Sequence, residues 1–171
     1  MNPTTLTHPL WLPLSNAKTY LFAALFIAGN LLFPMLFHAV PNGGHIFLPI
    51  FFFTLIGAFH YGLYVGLFTA LCSPLFSYVL AGMPVMGMLP VIVAKSLILA
   101  VCASCAARYF QKITVPIIAL VVIVSQSAGF FAEWAIVHNS TLAFSDLRMG
   151  VPGMILQIFG GYFLIAWLNK K

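Results

Sequence analysis

"AVPNGGHIFLPIFFFTLIGAFHYGLYVGLFTAL" runs from Ala39 to Leu71 without a charged side chain. It opens on a break of proline, asparagine, glycine and histidine, then continues as an apolar, aromatic run punctuated by Gly57, Gly62 and Gly66. The charge-free stretch extends in both directions, from Thr19 to Ala94. An ordinary soluble domain is about one quarter charged, whereas this chain of 171 residues is 5% charged and 63% apolar. Seven basic and two acidic groups cannot solvate the outside of a water-soluble fold. The reading is an all-α integral membrane protein, because the apolar runs approach the ~20 residues that a transmembrane helix needs. The formal charge of +5 is too dispersed to form a nucleic-acid surface.

Working outward from that stretch, six spans fit: Lys18 to His38, Ile46 to Phe59, Gly62 to Leu80, Met86 to Ala107, Val115 to Val137 and Pro152 to Leu168. Together they make one membrane domain over residues 1–171. Residues 1–17, "MNPTTLTHPLWLPLSNA", are polar and proline-broken and read as a short cytoplasmic or interfacial segment, with Trp11 in the interface. The run after Lys18 is too long for the apolar part of a cleavable signal. Span two is short for a bilayer, so it either recruits part of the "PNGGH" break or stops short inside the protein. Non-helical backbone at that depth requires cover by protein or a water-filled cavity.

Lysine and arginine set the orientation. With the N-terminus inside, the inner ends carry Lys18, Arg108, Lys112, Lys170 and Lys171, and the outer ends carry Arg148. This is the positive-inside pattern, and it predicts cytoplasmic N- and C-termini. Ala24 and Ala28 in span one, and Gly62, Gly66 and Ala70 in span three, repeat at four-residue spacing, which lets helix backbones approach closely. For span three the expected use is packing inside the bundle. Cys102 and Cys105 form C-x-x-C with no second ligand pair and read as small packing residues, so no metal site is expected. Asn139 begins a formal N-S-T sequon.

Four charges remain once the inner ends are set aside: Lys95, Glu133, Asp146 and Arg148. Lys95 and Glu133 fall within spans, ~13 Å and ~6 Å from the outer ends at 1.5 Å per residue. A charge inside a span is costly and marks a functional site or a partner. A buried Lys95–Glu133 pair that only fastens two helices gives the same sequence pattern. Trp134, His138 and Asn139 follow Glu133, the last outer loop adds Asp146 and Arg148, and the first adds Asn42 and His45. Apolar and aromatic walls with a few placed polar groups describe a small-molecule pocket. Two carboxylates in the whole chain equip an enzyme poorly, and neither H-E-x-x-H nor G-x-S-x-G occurs. The inner half has no charge-lined path for an ion channel.

The chain resembles the substrate-binding S components of energy-coupling factor transporters. The resemblance rests on the length, the six-span N-in layout, "AALFIAG" with Ala24 and Ala28, "LPIFFFTLIGAFHYGLYVGLFTAL", and "DLRMGVPGMILQIFGGYFL". It covers nearly the whole chain. It implies a non-enzymatic subunit of the bacterial cell membrane that captures a vitamin or related micronutrient from outside and needs no cofactor. The implied partners are a transmembrane coupling subunit and two ATPases that hydrolyse the ATP. It also implies that the first outer loop closes over the ligand, with Gly43 and Gly44 as its moving part, and that Ala24 and Ala28 face the coupling subunit. Asn2 stands where the metal-specific branch has histidine, which argues against nickel or cobalt. The rival class is a small lipid-modifying membrane enzyme or an assembly factor.

Overall fold

A computed structural model describes residues 4–5, 11–37, 49–82 and 84–170. The first long helix, α1, is Ala17–Phe37. Asn16 starts it, its Oδ1 accepting from the Lys18 backbone N–H at 3.0 Å. A 3₁₀ turn, Pro49–Phe51, leads into α2, Phe52–Ile56, which widens into a π turn over Gly57–Tyr61. Then come α3, Leu63–Ala81, and α4, Leu89–Phe110. The last three helices are α5, Val115–Val137, α6, Ser140–Met149, and α7, Val151–Leu168. Five of these, α1, α3, α4, α5 and α7, are long and apolar enough to cross a membrane.

Span two is short, as its length in the sequence suggests. Its described helical part, Phe52–Tyr61, is a shorter apolar helix. At 1.5 Å per residue its ten residues cover ~15 Å, about half of a hydrocarbon core. Leu55, Ile56, Ala58 and Phe59 are completely buried. A helix that is apolar on every side belongs inside a bundle, and this one is the central core element, enclosed by the longer helices. The Ser104 hydroxyl of α4 donates to the Ala58 carbonyl in the π turn at 3.1 Å. The Gly62–Gly66–Ala70 row packs internally, as expected. A Cβ on Gly66 would lie 2.5 Å from Ala58 Cβ and 2.8 Å from its Cα, so only glycine lets α3 approach this backbone.

The other helix limits agree with the spans to within about three residues, except that the outer loop before the last span is largely the helix α6. One element is not helical. Thr4–Thr5 (β1) pairs antiparallel with Lys112–Ile113 (β2), Thr4 opposite Ile113. The N-terminal segment is thereby tied to the α4–α5 turn. Further along, the Leu12 N–H donates to the Tyr61 carbonyl at 3.3 Å, and the Thr19 hydroxyl donates to the Pro13 carbonyl at 2.7 Å. The Arg108 guanidinium lies 5.7 Å from the Trp11 ring centre, a cation–π contact. The segment thus crosses the end of the bundle that carries Lys18, Arg108, Lys112 and Lys170, here called the basic end.

Candidate functional site

At the opposite end three helices converge on one lysine. Lys95 lies six residues into α4, about 9 Å from its start at 1.5 Å per residue. Its Nζ is 2.6 Å from Glu133 Oε2 on α5 and also donates to Asp146 Oδ2 on α6. The Asp146 contact is aligned as a hydrogen bond. The Glu133 contact is a close ion pair without that alignment, so Oε2 receives no hydrogen bond. The side chains of Lys95 and Glu133 are only 9% and 1% exposed. Desolvating such charges costs several kcal/mol per ion in order of magnitude, and only close pairing offsets it.

Gly129 makes the approach possible. It lies one turn before Glu133 on the same face of α5, and a Cβ there would sit 3.0 Å from Lys95 Cγ. The lysine stem crosses the bare glycine to reach the carboxylate. Asp146 arrives by a different route. Asn139 caps α6, its Oδ1 accepting from the Thr141 and Leu142 N–H groups at 3.0 and 3.2 Å. The helix then carries Asp146 back over the bundle, while Ala143 is its fully buried residue. What reads in sequence as a polar loop is a helix held to the core by an ion pair.

Beneath the bridge lies a narrow crevice lined by Phe51, Lys95, Leu99, Ser125 and Gln126, too tight in this form to admit a water molecule. Gln126 is buried. Ser96 Oγ and both amide atoms of Gln157 are buried without a hydrogen-bond partner among the described residues. Gln157 lies one turn from Gly161, whose added Cβ would be 3.9 Å from Ile118. Because α7 runs antiparallel to α5, this puts Gln157 near the level of Val122, a turn below Gln126.

Of the residues expected at the site, Lys95, Glu133 and Asp146 come together. Trp134 is 48% exposed. His138 is exposed, ends α5 at φ 55°, and gives its N–H to the Trp134 carbonyl. Asn139 spends its side-chain oxygen as the α6 cap, and Arg148 is exposed. Asn42, Gly43, Gly44 and His45 lie outside the described residues. Ala24 and Ala28 are exposed on α1, turned away from the bundle. The sequence reading missed Gly129, Ser96, Gln126 and Gln157. The two glutamines were visible as polar residues inside apolar spans, which is itself a signal of function or partnering. Among the described residues no group of histidine, cysteine and carboxylate side chains is placed to hold a metal ion.

No protein-family model matches this chain, and neither a curated protein nor a solved structure is significantly similar to it. The class that fold and site define on their own is a helical protein with the spans of a multi-pass membrane protein and a buried three-helix ion bridge near one end.

Proposed function

We propose that this protein is the substrate-capturing subunit of an energy-coupling factor type importer in a bacterial cytoplasmic membrane. In this reading it binds a vitamin-like micronutrient from the outer side and delivers it through a transmembrane coupling subunit powered by two ATPases. The observation that carries the reading is the Lys95–Glu133–Asp146 bridge, buried at the end opposite the basic one. Buried charge within a span marks function by default. Both carboxylates of the chain are engaged by Lys95, an arrangement suited to binding and gating rather than to acid–base turnover. The exposed Ala24 and Ala28 leave a small-residue face on α1 open to another helix.

The test is binding. Native mass spectrometry of the purified chain in lipid nanodiscs should show one bound small molecule. Glu133→Gln should lower its occupancy more than ten-fold at an unchanged unfolding temperature, because Asp146 still pairs with Lys95. A chain that carries no small molecule, or a Glu133→Gln variant that binds as the parent does but unfolds earlier, makes the bridge a helix fastener and ends the capture reading.

A further inference from the structure

We propose that the basic end carries a binding surface for the phosphate of an anionic phospholipid, centred on Arg108 and Lys112 with Trp11 as its floor. The proposal requires that the chain lies in a bilayer and is independent of the capture reading.

Charge balance comes first. The chain has seven lysine and arginine side chains and two carboxylates. Both carboxylates lie against Lys95. Arg108 is thirteen residues further along the same continuous helix α4, about 20 Å away at 1.5 Å per residue. The basic end therefore has no acidic side chain of its own to pair with.

The fold nevertheless gathers cations there. In β2, Ile113 turns inward and is fully buried, while Lys112 turns outward and is exposed. Arg108 stands four positions before Lys112, across the left-handed turn at Gln111. The helix α7 packs against β2 as well. Because α7 runs antiparallel to α5, which follows β2 directly, the part of α7 that lies there is its last part, just before Lys170. Membrane topology asks for positive charge on one side, but not for its collection on one surface. Like charges so gathered repel one another until an anion joins them.

Geometry selects phosphate as that anion. The Arg108 guanidinium lies over the Trp11 ring, 5.7 Å from its centre. A guanidinium held by its face keeps its edge N–H donors, the planar fork that takes two phosphate oxygens at once. The floor is itself held, because the neighbouring Leu12 N–H is bonded to the Tyr61 carbonyl. Exposed Trp11, Tyr109 and Phe110 surround the cations, and such rings settle at headgroup level. Basic residues directly beside an apolar span meet anionic headgroups, so the setting favours a lipid over an acidic protein segment.

The experiment places the full chain in nanodiscs of equal parts phosphatidylglycerol and phosphatidylcholine. Native mass spectrometry then counts the lipids that stay on the released chain. Phosphatidylglycerol should be retained at least ten-fold over phosphatidylcholine. Arg108→Gln should cut that preference several-fold, whereas the charge-matched Lys18→Gln, on α1, should leave it intact. Arg108→Lys keeps the charge and loses the fork; it should lower the preference too, a second route if Arg108→Gln folds poorly. Equal retention of the two lipids overturns the proposal. So does an equal loss in Arg108→Gln and Lys18→Gln, which would make the cations a diffuse field without a site. Arg108-dependent binding of soluble glycerol phosphate or of an acidic peptide, with no preference between the lipids, overturns it as well and gives the surface to a soluble phosphate or a protein partner.

Discussion

Two buried polar clusters hold this bundle together, and they are built to opposite rules. On one side Asn30, fully buried on α1, donates from Nδ2 to Thr54 Oγ1 at 3.1 Å and to Ser73 Oγ at 3.0 Å. Its Oδ1 accepts from the Phe53 N–H at 3.1 Å. This cluster is neutral and ties α1, α2 and α3 with the amide's capacity nearly filled. On the other side the Lys95 bridge ties α4, α5 and α6 with full charges and leaves Glu133 Oε2 without a hydrogen bond. A filled neutral cluster has nothing left to offer a ligand. A buried charged cluster is expensive for structure alone, since apolar side chains of similar volume would hold the helices as well or better. The contrast is what the proposed function rests on: under that reading the α4–α5–α6 half carries the site and the α1–α2–α3 half the scaffold.

The largest effect on stability should come from breaking the charged cluster on one side only. Lys95→Met removes the cation that Glu133 and Asp146 share, and removing one partner of a buried pair costs about 3–5 kcal/mol. Adding Glu133→Gln and Asp146→Asn should restore most of that loss, measured by unfolding in detergent, because the triple variant buries no charge. Ligand occupancy should not return with it. Recovery of both in the triple variant would make the charged half a scaffold like the other.

The neutral cluster should give a smaller loss confined to stability. Interhelical hydrogen bonds in membranes average about 0.6 kcal/mol, so the three bonds lost in Asn30→Leu sum to about 2 kcal/mol by the same principle. Ligand affinity should stay within two-fold of the parent by titration. A ten-fold weakening would mean that the two halves are coupled through α2, whose residues Thr54 and Phe53 belong to the Asn30 cluster and whose approach carries Phe51.

How much of this contrast the residues announce differs between the halves. Membrane character and the five long helices follow from long apolar runs that carry very few charges. Lys95, Glu133 and Asp146 are legible as the charges that topology does not need. The burial of α2 is legible only as one of two alternatives, because its shortness allows either an added piece of the preceding break or a stop inside the protein. Asn30, Thr54 and Ser73 are separated by 24 and 43 positions from Asn30, and a three-way polar contact of that span has no local pattern. The helix α6 hides for another reason: "STLAFSDLRM" is polar enough to read as loop, and what fixes it is a cap at Asn139 and a distant lysine.

Gly129→Ala should hardly change stability. A helix-interior glycine-to-alanine change gains about 1 kcal/mol of propensity, set against a contact of 3.0 Å with the flexible Lys95 stem. Its effect belongs to the bridge: the stem must lift off α5, moving Nζ away from Glu133. The expected readout is a several-fold faster ligand release at a constant unfolding temperature. Unchanged release would show that the stem's path across Gly129 is immaterial to binding.

The smallest effect on the isolated chain should come from α1's outward face, on the same helix that sends Asn30 inward. Ala24 and Ala28 are one turn apart and exposed, so Ala24→Leu with Ala28→Leu displaces nothing in the bundle. Surface changes of this kind stay within about 0.5 kcal/mol, and ligand binding should be unchanged because the bridge and crevice use no residue of α1. If the face receives a helix of the coupling subunit, two leucine side chains hold the backbones apart and remove the close approach on which small-residue contacts depend. Co-purification with the coupling subunit and ATPases, and uptake by the full complex, should then be lost while binding by the chain alone persists. Intact uptake with both leucines present would show that this face meets only lipid, and the transporter assignment would lose the support that α1 gives it.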